Sequence, residues 1–238
     1  MKWREENWQN SHAQALEAKL KVMVENFIFY RIVSGLMKVP LVAPKGLSQL
    51  QEKNWKRDMS MIIKPIVIIS TLSREGIPNA ALKTNFMNVS ALEEVAFSCW
   101  PEHDTHRNIV ETKEFVVNVP SEGIIEQAMV TAVDFPRNVN EIEKAGLTAI
   151  PSEKVKPPRI EECKLHLECK LKWHKEKIIV GEVVAASADE DLIRGSIEER
   201  QKKLGQTFLV GARTYGKIGE IRELPLRIIR QYEDEIRK

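Results

Sequence analysis

A polar turn, a short helix and a buried strand follow one another between residues 103 and 120, and this order limits the folds open to the chain. Residues 103–109, HDTHRNI, are typical of a turn that opens a helix, and residues 115–120, FVVNVP, of a buried strand. We expect Asp104 or Thr105 to cap the helix by accepting hydrogen bonds from its first backbone N–H groups. Those N–H groups, at the positive end of the helix dipole, form a ready site for a phosphate. The same residues also fit a capped surface helix that binds nothing.

Much of the remaining pattern predicts β-strands. Residues 66–72 form an apolar, β-branched run, and residues 73–76 form a turn that ends in a glycine. Further strands are predicted at 95–98, 165–173 and 177–186, with a charged turn at 174–176. Short helices are predicted at 105–111, 124–133, 140–145 and 198–204. Many strands with few long helices favour a mainly β protein with peripheral helices, built as a closed or partly closed barrel.

The composition argues against several classes of function. The net charge is only +2 over 238 residues, and the basic residues are interleaved with acidic ones, whereas a nucleic-acid binder clusters its positive charge. No glycine-rich dinucleotide or P-loop motif is present. The three cysteines, Cys99, Cys163 and Cys169, are an odd and sparse set that favours a reducing compartment. Cys163, His166 and Cys169 have no evident fourth ligand, so we expect no metal site.

The first residues predict no export signal. Glu5 and Glu6 stand where a signal peptide needs a basic start and an apolar core. The apolar stretch at 22–37 is interrupted by charges and is too short to span a bilayer. We therefore expect a cytoplasmic protein with no membrane partner and no nucleic-acid partner.

Residues 1–58 stand apart from the rest of the chain. The apolar spacing at 12–37 predicts a helix, which Pro40 and Pro44 end. One interpretation is an extra helix that packs on the barrel or on a dimer partner. The other is that Met59 or Met61 is the natural start and that the leader is a gene-model artefact. The main domain then covers residues 59–226, and residues 227–238 form a tail helix.

From residue 62 to residue 224 the order of these segments resembles the FMN-binding split-barrel family of flavin reductase-like proteins, which includes flavoredoxins and archaeal ferric reductases. The resemblance implies a split β-barrel, here with an N-terminal helical extension. The matching segments are 115–118 with the helix after it, 134–136, Glu141, 145–148, 156–159, 166–169 and 180–184.

The resemblance also implies a cofactor site. It places FMN, with FAD less favoured, against Lys83, Thr84, Asn85, Phe86, Ser98, Cys99, Trp100, His103, Thr105, Arg107 and Arg213. The phosphate would be held by Ser98, His103, Thr105 and Arg107 together with backbone amides near Thr105. Residues 83–86 would follow the isoalloxazine ring, with Cys99 lining the site and Trp100 covering the ring or packing at its rim.

Four positions depart from the family pattern or leave alternatives open. Many relatives carry Arg or Lys where His103 stands, and many carry Pro where Leu82 stands. Relatives usually carry Ser at the position of Thr84. Lys83 would stabilise the anionic reduced ring if it lies near the N1–C2 edge of the flavin; otherwise it is a solvated strand residue.

The function implied by the resemblance is that of an NAD(P)H-dependent flavin or ferric reductase. NAD(P)H would dock transiently and transfer a hydride to flavin N5, and the electrons would pass to a small-molecule or protein acceptor. The family also implies a homodimer. Two alternatives stay open: a flavoredoxin-like electron carrier reduced by a protein partner, and a non-catalytic barrel. No residue is assigned a catalytic acid–base role.

Overall fold

The computed structural model describes residues 62–90, 93–211, 213–222 and 224–227 of the chain. The predicted extension at 1–58, and all but the first residue of the predicted tail helix at 227–238, lie outside the described residues, so this domain division stays a prediction. Among the described residues, no helix is both long and apolar enough to cross a membrane.

Antiparallel strands are the largest class of regular structure in the described chain, which confirms the mainly β prediction. The strands are β1 (Lys64–Pro65), β2 (Val67–Leu72), β3 (Pro78–Lys83), β4 (Met87–Ser90), β5 (Glu94–Ser98), β6 (Glu114–Val119), β7 (Ala149–Ile150), β8 (Arg159–Ile160), β9 (Leu165–Lys175), β10 (Ile178–Ala188), β11 (Thr207–Leu209) and β12 (Tyr215–Lys217). The large sheet has the order β3-β2-β6-β9-β10-β5-β4, and two small sheets have the orders β1-β11-β12 and β7-β8.

Short helices lie around the sheets. They are α1 (Asp104–Thr112), α2 (Ile125–Val130), α3 (Glu141–Lys144) and α4 (Ile197–Leu204), with 3₁₀ turns at Glu122–Ile124 and Glu190–Leu192. The helix α4 begins with a capping box, in which the Ser196 side chain accepts from the Glu199 amide and the Glu199 side chain accepts from the Ser196 amide.

Strand β2 alternates between two apolar clusters, with Val67 and Ile69 in the first and Ile68 in the second. The first apolar cluster contains Val67, Ile69, Val95, Phe97, Cys99, Ile109, Phe115, Val117, Cys169 and Ile179. The second apolar cluster contains Ile68, Ala80, Ile124, Ala128, Ile142, Ala145, Leu147, Ile160 and Cys163. All three cysteines are buried and free, as small core residues.

One close approach fixes the packing of the first apolar cluster. The ring of Phe115 lies edge-on to that of Phe97, with centroids 5.5 Å apart. The Phe115 ring also lies against Gly181, where an added Cβ would stand only 2.4 Å from the Phe115 Cζ atom. A side chain at position 181 would therefore collide with the ring, and glycine lets β10 pass over it.

The predicted strands at 66–72, 95–98 and 115–120 and the helices at 105–111, 140–145 and 198–204 are confirmed within a residue or two. The helix predicted at 124–133 is shorter than expected, because i→i+3 hydrogen bonds from Thr131, Ala132 and Val133 wind the chain into a tighter turn after Val130. The turn predicted at 174–176 was placed too early. β9 runs to Lys175, and Glu176 takes a positive φ of 52° in a two-residue hairpin loop.

Candidate functional site

A cavity of about 150 Å³ lies where the end of β3, the start of α1 and the segment after α2 meet. Its wall is polar and carries both signs of charge. The lining residues are Asn79, Ala81, Leu82, Lys83, His103, Asp104, Thr105, Thr131, Ala132, Val133, Asp134 and Glu141. Three residues predicted for the cofactor site, Lys83, His103 and Thr105, therefore share one wall.

The backbone holds two sides of the cavity together. The Leu82 amide in β3 donates to the Thr131 carbonyl at 3.3 Å, so the end of β3 is tied to the segment after α2. This bond fixes Lys83 at the end of the strand, beside the cavity. Thr131 is held in turn by its hydroxyl, which donates to the Ala128 carbonyl at 2.8 Å.

The start of α1 leaves backbone donors available. His103 occupies the cap position, and its side chain makes no capping hydrogen bond. The first N–H groups of a helix have no acceptor within the helix itself, so they can bind an anion in the cavity. The prediction that Asp104 or Thr105 caps the helix is wrong. Asp104 lies in the first turn and pairs with Arg107 at 3.6 Å, and the Thr105 hydroxyl donates to Asn79.

Five polar side chains form a buried chain of hydrogen bonds behind the cavity, which we call the polar seam: Thr71, Asn79, Thr105, Asn108 and Glu141. Asn79 Oδ1 accepts from the hydroxyls of Thr71 at 3.1 Å and Thr105 at 3.0 Å. Asn108 Nδ2 donates to Thr71 Oγ1 at 3.0 Å. Because the Thr105 hydroxyl already donates to Asn79, its backbone amide is the better donor for a ligand.

Glu141 is the end of the polar seam that reaches the cavity. Its Oε2 atom accepts from Asn79 Nδ2 at 2.9 Å and from the Ala80 amide at 3.0 Å. Burial raises the pKa of Glu141, the Ala80 amide and Lys83 lower it, and the nearby carboxylates Asp104 and Asp134 raise it; together they bring it to about 7. The site therefore holds a carboxyl group that titrates near neutral pH.

Of the residues predicted to follow the flavin ring, Lys83 ends β3, and Thr84, Asn85 and Phe86 lie in the connection from β3 to β4. β3 ends at Lys83, which pairs with Val67 at the start of β2. Beyond it, Asn85 Nδ2 donates to Ser98 Oγ at 2.6 Å and to the Ser98 carbonyl at 3.1 Å, which ties the connection to the end of β5. Thr84 is half-buried, and Phe86 packs against the first apolar cluster.

Cys99 and Trp100 follow β5 and differ in environment. Cys99 lies in the first apolar cluster and is only 2% exposed, so it is part of the core and not of the cavity wall. Burial raises the pKa of its thiol, which disfavours the nucleophilic thiolate. Trp100 is half-exposed, and the Lys177 ammonium lies 3.1 Å from its ring centroid, a cation–π contact.

The two predicted arginines lie outside the cavity wall. Arg107 pairs with Asp104 across one turn of α1 and so offsets a negative charge beside the cavity. Arg213 is exposed in the connection between β11 and β12.

Sequence reasoning assigned no role to Asn79, Asp134 or Glu141. Asn79 did carry a signal: it is a polar residue in a strand next to apolar neighbours, and a buried amide requires partners.

The donor set of the cavity fits a phosphate better than a metal ion. In the described part of the chain, no three His, Cys, Asp or Glu side chains are grouped closely enough to hold a metal. The N–H groups that open α1, the Lys83 ammonium and the His103 ring are donors. The volume is below the roughly 300–1,000 Å³ typical of pockets that enclose whole cofactors, so the cavity suits one group of a larger ligand.

Comparison with known sequences identifies relatives over most of the chain. Residues 59–204 match the family described as flavin reductase like domain. An uncharacterized protein of Aquifex aeolicus is 35% identical over 168 residues, which cover 66% of this chain and 85% of that protein. An uncharacterized protein of Methanothermobacter thermautotrophicus is 36% identical over 149 residues, which cover 59% of this chain and 70% of that protein.

Solved structures share the fold. Nitrilotriacetate monooxygenase component B from Bacillus cereus has a TM-score of 0.67 and 26% identity, over 79% of this chain and 100% of that chain. A split-barrel protein of Shewanella frigidimarina has a TM-score of 0.66 and 19% identity, over 79% of this chain and 99% of that chain. The flavoredoxin of Desulfovibrio vulgaris has a TM-score of 0.64 and 20% identity, over 78% of this chain and 97% of that chain. An FMN-binding domain from Shewanella baltica has a TM-score of 0.60 and 18% identity, over 68% of this chain and 89% of that chain. The predicted split-barrel fold is confirmed.

Proposed function

The chain belongs to the flavin reductase-like family, and from that premise we propose that it is an FMN-binding oxidoreductase that passes electrons from NAD(P)H to a flavin or ferric acceptor. The observation that carries this proposal is the anion-suited cavity at the start of α1, with Lys83 and His103 in its wall. The three free, buried cysteines agree with a reducing compartment, and we assign the activity to the cytoplasm.

The phosphate is the part of FMN that the cavity accommodates. The first amides of α1 would bind it, Lys83 would balance its charge, and His103 would donate a hydrogen bond. Arg107 contributes indirectly, because its pairing with Asp104 lowers the negative charge that a phosphate meets there. FMN, once bound, supplies the hydride and electron chemistry.

The isoalloxazine ring requires a surface outside this cavity. We assign it to the connection from Thr84 to Phe86, which continues from Lys83, and to the exposed ring of Trp100. The bonded pair of Asn85 and Ser98 fixes this connection against the end of β5. The chain's own task is thus to anchor the phosphate and keep this surface rigid, while a nicotinamide docks from solvent.

A homodimer is part of the proposal. Met87 and Val89 on the edge strand β4 are 59% and 46% exposed, and Trp100 beside the end of β5 is 53% exposed. Exposed apolar side chains on a sheet edge favour a protein contact. Light scattering at micromolar concentration should give twice the mass of one chain.

Anaerobic titration of the purified protein with FMN, FAD and riboflavin tests the cofactor assignment. About 31 non-hydrogen atoms at roughly 0.3 kcal/mol each give about 9 kcal/mol, which predicts an FMN dissociation constant somewhat below micromolar. We expect riboflavin to bind more weakly, because it lacks the phosphate. A protein that takes up none of the three flavins would contradict the proposal.

Stopped-flow reduction of the FMN-loaded protein tests the reductant. Rapid bleaching of the flavin absorbance by NADH or NADPH is expected for a reductase. Retention of FMN without bleaching would instead support a flavoredoxin-like carrier, which takes electrons from a protein partner.

A further inference from the structure

A buried carboxyl group in the wall of a cavity that is proposed to hold an anion requires an explanation. Glu141 is 6% exposed, lines the cavity and uses only its Oε2 atom in hydrogen bonds. Among the described residues, its Oε1 atom has no hydrogen-bond partner. This oxygen is therefore available to whatever occupies the cavity.

The protonation state of Glu141 changes what the cavity offers to an anion. A neutral carboxyl group donates one hydrogen bond, whereas the ionised group donates none and adds a negative charge. The charged groups that face it come from three elements: Lys83 from β3, Asp104 and the titratable His103 from α1, and Asp134 from the segment after α2. Ionisation of Glu141 adds a third carboxylate to the two acidic residues already there.

We propose that Glu141 regulates flavin binding: the protein holds the phosphate of FMN tightly when this residue is neutral and releases it more readily when the residue is ionised. This inference rests on the proposed function. It predicts that binding of the phosphate takes up a proton, since the phosphate favours the neutral form of Glu141. The raised pKa of about 7 places this change within the physiological range.

The hydrogen bonds of Glu141 give its protonation state a second effect on the phosphate site. Glu141 Oε2 holds the Asn79 amide, and Asn79 Oδ1 holds the Thr105 hydroxyl at the start of α1. The carboxyl group that titrates is therefore two hydrogen bonds away from the helix start that would bind the phosphate. A change at Glu141 reaches the phosphate directly through charge and indirectly through the position of Thr105.

Two other effects of pH must be separated from this one. A phosphate monoester loses its second proton near pH 6, which strengthens binding as the pH rises and is therefore of opposite sign. His103 also lines the cavity, and an imidazolium there would favour the anion with the same sign as neutral Glu141. The measurements are therefore made in a His103→Gln background as well as in the wild type.

The test measures the dissociation constants of FMN and riboflavin between pH 6.5 and 8.5. We expect the FMN constant to rise by about tenfold in the wild type and in His103→Gln, because one titrating group gives at most tenfold per pH unit. When Glu141→Gln, which imitates the neutral acid, is added to His103→Gln, the rise should disappear, because neither titrating side chain is left. Glu143→Gln, on the exposed side of the same helix, is the matched control and should follow the wild type. Riboflavin should show no such dependence in any variant.

Calorimetry in buffers of different ionisation enthalpy supplies a readout that needs no Glu141 variant. In His103→Gln at pH 7.5 we expect net proton uptake on binding FMN and none on binding riboflavin. Absence of uptake, or the same pH dependence in Glu141→Gln as in its parent, would overturn the inference while leaving FMN binding intact. Failure of FMN to bind at any pH would instead overturn the proposed function.

Discussion

The first apolar cluster and the polar seam are adjacent parts of the molecule held together by opposite means. The cluster joins strands β2, β5, β6, β9 and β10 through burial of apolar side chains, and its geometry is set by close packing such as that of Phe115 against Gly181. The seam joins β2, β3, α1 and α3 through hydrogen bonds of 2.9–3.1 Å. Burial is not directional, whereas hydrogen bonds are, so the cluster stabilises the sheet and the seam positions the cavity.

The largest expected effect is on the cluster. Phe115→Ala should lower the free energy of unfolding by about 3–5 kcal/mol, because it removes a fully buried ring and leaves a cavity. Denaturant unfolding followed by circular dichroism measures this change. Ile197→Ala, at an exposed position at the start of α4, is the control and should stay within about 0.5 kcal/mol of the wild type.

The close approach of Gly181 to the Phe115 ring can be tested by a second variant. Gly181→Ala should cost about 1–3 kcal/mol, because its Cβ collides with the Phe115 ring. In the Phe115→Ala background this cost should largely vanish, since the colliding atoms are gone. If the two costs simply add, the close approach is not what requires glycine there.

The polar seam should respond less in stability but more in ligand binding. Asn79→Ala removes the acceptor of the Thr71 and Thr105 hydroxyls and one of the two donors to Glu141 Oε2, at about 2–3 kcal/mol. Asn79→Ala should also weaken FMN binding, because Thr105 is no longer held at the start of α1. The matched control is Asn138→Ala in the turn before α3, which is exposed and should change neither quantity. If Asn79→Ala binds FMN as tightly as the wild type, the polar seam does not position the groups that bind the phosphate.

The pH dependence of stability gives a further distinction, because the seam contains a titratable group with a raised pKa and the cluster's apolar contacts do not titrate. Below about pH 4.5 Glu141 is neutral in both the folded and the unfolded chain, and its contribution to stability is complete. That contribution is lost as the pH rises through about 7, since the unfolded chain ionises more readily. Glu141→Gln should remove this loss, on the order of 2 kcal/mol at pH 8 after screening by water in the cavity. Thermal unfolding at pH 5 and pH 8 measures this loss of stability. An equal loss in the wild type and in Glu141→Gln would contradict the raised pKa of Glu141.

The smallest expected effect concerns the rim of the cavity. Lys83→Met removes a partly exposed charge, so FMN should bind about fivefold more weakly, equivalent to about 1 kcal/mol. Riboflavin binding should change much less, because it lacks the phosphate. Equal losses for both ligands would place Lys83 beside the ring. Lys144→Met, on an exposed position of α3, serves as the control.

Much of the sheet could be predicted from local patterns, whereas the seam could not. The run at 66–72 has the β-branched composition of a buried strand, and this property needs no knowledge of its neighbours. The misplaced turn at 174–176 shows the limit of that reasoning: His174 and Lys175 are polar, but pairing with Ile179 and Ile178 keeps them in the sheet. Polarity alone does not end a strand whose partner continues.

The candidate site divides in the same way. Lys83, His103 and Thr105 were predicted from the family resemblance, and the structure brings them to one cavity. Glu141 lies 62 positions from Asn79 in the sequence, and nothing in the local pattern of either residue indicates that they are bonded. The capping role predicted for Thr105 was wrong for the same reason, since a tertiary partner outcompetes the local one.

The sequence by itself determined the secondary structure of most strands, the helix near residues 105–111 and the family, because these depend on residue type and spacing over a few neighbouring positions. Only the tertiary structure decided which polar groups are buried together, what volume they enclose and which carboxyl group titrates near neutral pH. These properties depend on distances between segments far apart in the chain, and on the exclusion of water that their packing produces.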